Sequence, residues 1–557
     1  MKRAILLSLL IVGCAGEARY PLREPMTHDT DLRSVWVRCH EKKDHKRTCA
    51  PEPYVTSLYW DGADNLIFRP LSDTLAVRTS GESVNVNSLD EVPNSSWFTN
   101  RIELVTVDRL KRGACKPEQI LDGDAFPDGS WVIDKGKLDG STPGFRVIVP
   151  GKGKYMLKIE ETDDQPERQS AAATIGAAAF WAAGYNTECQ QVVYVRPSLL
   201  KLTPGLRSRA NFEPERAFDQ KRLDQLMKKS VMRAGRYRMS ASAWMPGYGI
   251  GPYRYEGTRK DDPNDVIPHE DRRDLRGMRV LAAWLGRTDG REANSFDSWL
   301  ADDPKKPESS PGVVVHYAFD VSEVLGGDWP WAPVEIGTRL GNSYLIDWGD
   351  LARDFVTLGA SVRPWEDLKP IKGHEMFGYY ELDHFEPEHW KNEYPNIAWS
   401  RMTERDAAWM ARILAHFTPE MVHTLAVMGD FSDPAQTAYI EHVMEGRLEK
   451  VLERWLTRLS PIGDVRIEGD KLCGVDMAEL RGLRAPSSFR YSAHTKTTSF
   501  AVTREPQGRI CAALRHGPEQ YMRVDIEDGV AKGKLVAHVY DLGEHGFKLA
   551  GLERPKP

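Results

Sequence analysis

The chain has 557 residues, of which 28% are charged, and a formal net charge of −6 at pH 7. Its length predicts two to four domains. The negative balance excludes a general electrostatic attraction to nucleic acid, so we expect no nucleic-acid partner.

The N-terminus, MKRAILLSLLIVGCAG, predicts an export signal. Lys2 and Arg3 precede an apolar run over residues 4–12, which is too short to span a bilayer and fits the core of a signal peptide. The letters IVGC resemble a bacterial lipobox, which predicts acylation of Cys14 and anchoring in the lipid bilayer. Ala15 favours the outer membrane if the cell has two. The alternative is an ordinary cleaved signal with an incidental cysteine.

Six further cysteines permit three disulfides in an exported chain. The chain has no CxxC motif, which argues against a zinc site. Proximity favours two pairs and leaves the third as the remainder: Cys39 with Cys49, Cys473 with Cys511, and Cys115 with Cys189.

The first elements in chain order form a β-rich region. Residues 15–125 predict an irregular segment with short strands around SLYW and NLIFRP. The runs SWVIDKGK, FRVIV and KYMLKIE then predict an antiparallel meander, since the linkers LDGSTPG and PGKG are turns. An Ala-rich helix follows Pro166 and ends near Gly184. The runs QQVVYV and YRMSASAWMPG predict two more strands.

The second half begins with a helix over residues 275–285, followed by Asp289 and Asn294. The apolar run VVVHYAFD predicts a strand that ends on Asp320. Residues 403–460 predict several helices with N-terminal caps. From Pro461 onward the pattern predicts a small β domain.

This order of polar groups suits phosphoryl transfer, in which a protein mainly positions groups and neutralises charge. A lysine must reach phosphate oxygens, and a carboxylate must hold that lysine. An aspartate accepts the hydroxyl proton, while an asparagine and a second aspartate bind Mg²⁺ through oxygen. Taken singly, each such residue has a structural alternative: Lys158 as an exposed lysine, Glu167 as an acid favouring a helix N-terminus, and the glycine-bearing loop as a plain turn.

Residues 131–326 resemble the atypical protein-kinase-like proteins related to HipA and CotH. More closely, the chain resembles a group of exported bacterial proteins that share several motifs. These are TPGF at residues 142–145, Lys158, GYN at 184–186, DDPNDVIPHEDRRDLRG at 261–277 and EVPNSSWFTNR at 91–101.

The resemblance implies a site for ATP and Mg²⁺. It makes Asp289 the catalytic base, Lys158 the lysine that contacts phosphate, and Glu167 its ion-pair partner. It makes Asn294 and Asp320 the metal ligands. The loop that would cover the nucleotide contains Gly140, Ser141, Thr142 and Gly144.

The chain departs from the kinase pattern at three points. No histidine precedes Asp289, Val321 and Ser322 stand where kinases have Phe-Gly, and the loop lacks the full GxGxxG spacing. None of these changes removes a group that contacts phosphate or metal.

We therefore predict an α+β protein with a two-lobed, protein-kinase-like domain: a β-rich N-lobe and a helical C-lobe. The predicted parts are a signal peptide (1–13), an irregular segment (14–125), the N-lobe (126–250), the C-lobe (251–460) and a C-terminal β domain (461–557). The expected function is phosphotransfer from Mg-ATP to a protein or small hydroxyl substrate, in a lipoprotein of the cell envelope.

Two alternatives stay open: a catalytically degenerate binding or scaffolding lipoprotein, and a glycan hydrolase using paired carboxylates such as Asp289 and Asp297. Two other polar stretches have plain interpretations. The run DDPND predicts a polar turn rather than a Ca²⁺ loop, because it lacks EF-hand spacing. The histidines of GHEMFGYYELDHFEPEHW predict a surface loop.

Overall fold

A computed structural model describes most of the chain. The described residues are 19–41, 47–55, 58–76, 81–137, 142–160, 166–209, 214–326, 341–361, 363, 365, 368–518 and 520–557. The predicted signal peptide and Cys14 lie outside them, as do Gly140 and Ser141.

The largest sheet has seven strands and carries Lys158. Its strands are β3 (Trp131–Gly136), β4 (Gly144–Val149), β5 (Gly153–Ile159), β6 (Gln190–Val195), β7 (Leu200–Leu202), β10 (Met232–Arg233) and β11 (Arg236–Ala243). The order is β10-β11-β5-β4-β3-β7, and β6 also pairs with β11. The predicted meander and both later strands are therefore present, joined by two strands that the sequence did not predict.

Helix α4 (Arg168–Ala182) is the predicted Ala-rich helix, and it is buried on nearly all sides. A helix that is apolar all round belongs in a core. A Cβ at Gly176 would lie 2.5 Å from the carbonyl oxygen of Val321, so glycine permits close packing against the segment after Asp320. The helix thereby contacts both the sheet that carries Lys158 and the segment after Asp320.

A three-stranded sheet follows, made of β12 (Tyr248–Gly251), β13 (Ser295–Ala301) and β14 (Gly312–Ala318). Strand β14 is the predicted apolar strand, and Asp320 follows it by two residues. The sequence missed β13, whose polar side chains, Asp297 and Ser298 among them, are fully buried. Asp297 accepts hydrogen bonds from His316 (2.6 Å) and Arg259 (3.3 Å).

The remaining helices lie mainly after residue 250. They are α5 (Gln220–Met227), α6 (Arg273–Leu285), α7 (Trp348–Thr357), α8 (Ile397–Ser400), α9 (Glu404–Leu414), α10 (Pro419–Met428), α11 (Pro434–Leu456) and α12 (Met477–Leu480). The caps predicted at Thr403, Thr418 and Asp433 are confirmed, since each side chain accepts a backbone N–H of the first turn.

The N-terminal segment is more helical than predicted. Helices α1 (Leu58–Ala63) and α2 (Arg69–Leu75), joined by a π-helical turn, occupy the stretch where short strands were expected. The prediction was wrong because polar groups face inward here: Asp61 and Asn65 are buried, while Phe68 is half exposed. Hydrophobic periodicity therefore carried no helical signal. Helix α3 (Val107–Arg112) and the short strands β1 (His40–Glu41) and β2 (Arg47–Thr48) complete the segment.

The arginines of the DDPND-to-RDLRG motif form buried ion pairs. Arg273 binds Asp90 (2.7 Å) and Asp406 (3.2 Å), and Asp90 also binds Arg554 (2.7 Å). Burial alone would raise the pKa of Asp90, but the surrounding arginines lower it well below its usual range. These pairs connect the N-terminal segment, α6 and the C-terminal strands, and they fix the helix that precedes Asp289.

The strands predicted after Pro461 are present in two sheets with their own core. The first contains β15 (Ile462–Glu468), β16 (Lys471–Asp476), β19 (Val502–Arg504) and β20 (Arg509–Ala513). The second contains β17 (Ser492–His494), β18 (Ser499–Phe500), β21 (Tyr521–Glu527), β22 (Leu535–Asp541) and β23 (Phe547–Glu553). The small sheet of β8 (Arg207–Ser208) and β9 (Arg216–Ala217) lies beside the seven-stranded sheet that carries Lys158.

The two disulfides favoured by sequence proximity, Cys39–Cys49 and Cys473–Cys511, are formed, and so is the remaining pair, Cys115–Cys189. They are typical of a protein outside the reducing cytoplasm. In the part of the chain that the structure describes, no helix combines the length and apolarity needed to cross a membrane. The fold class is mixed α and β, as predicted.

Candidate functional site

Lys158 and Asp320 meet at the centre of the candidate site. Strand β5 buries Tyr155, Leu157 and Ile159 on one face, so Lys158 extends from the other. Its Nζ lies 2.7 Å from Oδ1 of Asp320, 162 residues later, and the two side chains are 12% and 30% exposed. The lysine thus points at an aspartate and away from bulk water.

The hairpin of β13 and β14 brings Asn294 next to the segment that carries Asp320. Ser295 pairs with Ala318, so Asn294 lies opposite Phe319, whose N–H donates to the Asn294 carbonyl (3.3 Å). The buried guanidinium of Arg287 donates to the carbonyls of Asn294 (3.0 Å) and Phe319 (3.1 Å). Asn294 also donates its Nδ2 to the carbonyl of Asp289 (3.0 Å). Both predicted metal ligands and the predicted base therefore lie at one end of this hairpin.

Asp320 adopts an uncommon backbone conformation, with φ of 43°. Its Oδ1 accepts from Lys158 and from the Ser322 hydroxyl (2.7 Å), and its N–H donates to Glu188 (3.2 Å). Burial would raise the pKa of Asp320, but the Lys158 ammonium lowers it well below its usual range. The carboxylate is therefore ionised at neutral pH, with Oδ2 directed away from these two donors.

The structure corrects the predicted partner of Lys158. Glu167 precedes α4, but its carboxylate accepts from the N–H (2.7 Å) and hydroxyl (2.9 Å) of Ser432. Glu188 lies beside Lys158 instead, and Ser242 donates to its carboxylate. Burial would lower the pKa of Lys158, but the charges of Asp320 and Glu188 outweigh it and raise that pKa.

Glu188 was not predicted as a partner of Lys158, because their proximity depends on the order of the strands in the sheet. The residue comes just before β6, and β11 separates β6 from β5 in the sheet. The disulfide at the adjacent Cys189 fixes the segment that carries it. The only signal for Glu188 in the sequence was its position next to a cysteine and just before an apolar strand.

Asp289 is buried and tied to its own loop. Its Oδ1 accepts from Nε of Arg291 (2.8 Å), and that guanidinium also binds Asp61 of α1. The charges of Asp289 and Asp61 raise the pKa of Arg291, with burial opposing them. Arg291 thus holds the aspartate in a fixed orientation and links it to the N-terminal segment.

Two further acids, Glu323 and Glu393, surround Asp289. Thr288 joins them: its N–H donates to the Glu323 carbonyl (3.1 Å), and its carbonyl accepts from the Glu393 N–H (2.9 Å). Burial and the charges of Asp289 and Glu323 raise the pKa of Glu393 to about 8. Burial likewise raises the pKa of Glu323, and the charges of Asp289 and Asp320 add to this. Burial is the main cause of both shifts, and the neighbouring acids add to it.

The loop predicted to cover a nucleotide is described only at its end. Gly144 lies directly opposite Lys158 in the β4–β5 ladder, and a Cβ there would lie 2.4 Å from the Leu157 carbonyl oxygen. Thr142 accepts a hydrogen bond from Gln169 of α4, and its carbonyl accepts from Lys137 (2.6 Å). The end of the loop is thus held beside Lys158.

The donors present fit a divalent cation with oxygen ligands. Asn294 uses its Nδ2 within the loop, which leaves Oδ1 for a cation, and Asp320 keeps Oδ2. Carboxylate and amide oxygens are the ligands that Mg²⁺ prefers. A cation would also offset the charges of the acids around Glu393.

Comparison with known proteins identifies no relative. No family model matches the chain, and neither a curated protein nor a solved structure shows significant similarity to it.

Proposed function

We propose that this chain is an extracytoplasmic lipoprotein whose kinase-like domain transfers a phosphoryl group from Mg-ATP to a protein or small hydroxyl substrate. Two contacts carry the proposal: Lys158 pairs with Asp320, and the Asn294 amide donates to the Asp289 carbonyl. These residues come from a strand of the seven-stranded sheet, the segment after β14 and the loop before β13, and the last two lie at one end of the β13–β14 hairpin.

Each group has a role that its surroundings support. Lys158, kept protonated by Asp320 and Glu188, would bind phosphate oxygens. Asn294 and Asp320 would hold Mg²⁺, which neutralises phosphate charge when bound. Asp289 would accept the proton of the attacking hydroxyl. Glu188 takes the positioning role that the sequence had given to Glu167.

The arrangement of elements supports a two-lobed domain. Lys158 lies in a mostly antiparallel sheet against which α4 packs, whereas Asp289, Asn294 and Asp320 come from segments that follow α6. Gly144 lies opposite Lys158 in the β4–β5 ladder, and the loop predicted to cover the nucleotide ends there, where its backbone N–H groups would reach phosphates. Lysine on the third strand of such a sheet is the position protein kinases use.

A polar cavity of about 230 Å³ supports an acceptor site beside Asp289. Its lining includes Tyr54, Trp60, Asp61, Arg69 and Glu292. Asp61 is linked to Asp289 through Arg291. Because this cavity carries both charges and two aromatic rings, it suits a polar acceptor with a hydroxyl group.

The anchoring part of the proposal rests on the lipobox at Cys14. The chain reaches the C-terminal strands soon afterwards, where the Tyr20 carbonyl accepts from Tyr540 (2.8 Å) and the Tyr20 ring packs against His538. Six residues extend at most about 20 Å. An acylated Cys14 would therefore keep this part of the protein close to the bilayer surface.

A degenerate binding protein is the second candidate, and one observation favours it. Lys158 pairs directly with Asp320, and Arg291 pairs with Asp289, so both pairs must rearrange before these groups act. The hydrolase alternative gains no support, because Asp297 is fully buried and held by His316 and Arg259.

Nucleotide binding separates the first two candidates. The mature chain should gain thermal stability with Mg-ATP by mass action, and Lys158→Met should remove that gain. Lys154→Met is the matched control, because Lys154 lies exposed on the same face of β5. Binding without transfer of labelled phosphate would select the degenerate candidate. No stabilisation at millimolar Mg-ATP would overturn the phosphotransferase and leave the degenerate binding or scaffolding protein.

A further inference from the structure

Glu103, His416 and Asp464 meet at a second place in the molecule. One ligand atom from each side chain lies within 4.8 Å of the other two. His416 Nε2 is 3.8 Å from Asp464 Oδ2, and these side chains are 19% and 24% exposed. Glu103 is exposed, so the cluster is open to solvent on one side.

The three residues belong to three separate parts of the chain. Glu103 lies in a short helical turn of the N-terminal segment (Ile102–Leu104), and His416 follows α9. Asp464 lies in β15, where the ladder to β16 shifts register between Gly463 and Arg466. Its φ of 52° is left-handed. A β-bulge redirects the side chain that it carries, and here Asp464 turns toward His416.

The arginine whose charge acts on Asp464 is already bonded elsewhere. Arg412, whose charge reaches Asp464, donates to Glu91 (2.8 Å). Carboxylate oxygens of Glu103 and Asp464 lie within 4.8 Å of each other. The two carboxylates thus lie side by side, next to a single imidazole.

We propose that Glu103, His416 and Asp464 bind one divalent transition-metal ion, with Zn²⁺ the best fit. One imidazole and two carboxylates form a mixed nitrogen and oxygen set that suits Zn²⁺ better than Mg²⁺ or Ca²⁺. Ligands at 2.0–2.2 Å from a tetrahedral ion are separated by about 3.4 Å. The 3.8 Å between His416 and Asp464 is close to that separation.

A metal here would join the N-terminal segment, the helical part and the C-terminal strands. Three protein ligands leave a fourth position for water on the side of exposed Glu103. The absence of CxxC motifs argued against zinc in the sequence, and the structure shows why that argument is incomplete. Glu103 lies about 300 residues before His416, Asp464 follows His416 by about 50, and the three have no common motif. The site is independent of the proposed phosphotransfer.

Zinc binding by the mature, untagged chain tests the proposal. After treatment with a chelator, Zn²⁺ is titrated against a chromophoric competitor, and melting temperatures are recorded with and without Zn²⁺. Asp464→Asn suits the backbone, because asparagine also accepts left-handed conformations. His416→Gln removes the imidazole. His423→Gln is the matched control, because His423 and Glu441 form an exposed pair elsewhere (2.8 Å).

We expect the wild type and His423→Gln to bind one Zn²⁺ with equal affinity and to melt at a higher temperature when it is present. Asp464→Asn and His416→Gln should each weaken binding by more than about tenfold, since even residues outside the ligand shell have effects of that size. The proposal is overturned if the wild type binds no Zn²⁺. It is equally overturned if both ligand variants bind like the control while keeping the wild-type melting temperature without metal.

Discussion

Replacing Lys158 with methionine should destabilise the protein in a pH-dependent way. The substitution removes the ammonium 2.7 Å from Asp320 and leaves the carboxylates of Asp320 and Glu188 beside an apolar side chain. Breaking a buried pair costs about 3–5 kcal/mol. Because Asp320 keeps 30% of its side chain exposed, we expect about 3 kcal/mol, the lower end of that range.

The pH dependence follows from the pKa of Asp320. The folded protein lowers this pKa, so the pair stabilises the wild type above the unfolded value of 3.8 and loses that contribution only in stronger acid. Without the lysine, the Asp320 carboxyl should keep its proton to higher pH. The difference between variant and wild type should therefore be largest near pH 7 and shrink by pH 4.

Denaturant unfolding followed by tryptophan fluorescence at both pH values measures this difference. Lys154→Met, on the same strand and exposed, should change the free energy of unfolding by less than about 0.5 kcal/mol. Equal effects of the two substitutions at pH 7, or a Lys158→Met effect that does not change with pH, would refute the reasoning.

Two more predictions concern the acids around the site. In double-mutant cycles, Lys158→Met should couple to Glu188→Gln by about 0.5–3 kcal/mol. Lys158→Met and Glu167→Gln should instead be additive within about 0.5 kcal/mol. The reverse pattern would restore Glu167 as the partner of Lys158. Glu393 should oppose folding as pH rises from 4.5 to about 8, because the folded protein keeps its proton longer than the unfolded chain. Glu393→Gln should therefore raise the melting temperature at pH 8.5 but not at pH 4, and no gain at the higher pH would contradict the raised pKa.

Local pattern was enough to predict the elements that carry the site. Alternation fixed which face of β5 holds Lys158, and the apolar run VVVHYAFD predicted β14, which ends two residues before Asp320. Cysteine spacing gave two of the disulfides and left the third as the remainder. These features depend on neighbours in sequence. For the same reason, the caps of the helices after residue 400 were predictable.

The failures lie where pairing between distant segments decides the outcome. Glu167 was assigned to Lys158 because the resemblance implied it, with Glu167 at the start of the helix after the lysine strand. Instead, Ser432 binds Glu167, and the sheet order brings Glu188 to the lysine. Helix α1 and the π-helical turn after it bury polar residues, so this stretch lacks the pattern that marks a helix. Glu393 reaches Asp289 from a segment about 100 residues later, a proximity that no local spacing encodes.

The central claim is that one cleft binds a nucleotide and a metal through the four predicted groups. A crystal structure of the mature chain with Mn²⁺ and a non-hydrolysable ATP analogue tests this most directly, because Mn²⁺ is located by its anomalous signal. We expect that signal between the oxygens of Asn294 and Asp320, with the Lys158 ammonium on the phosphates. Nucleotide bound elsewhere, or no Mn²⁺ beside Asp320 with the Lys158–Asp320 pair intact, would contradict the account.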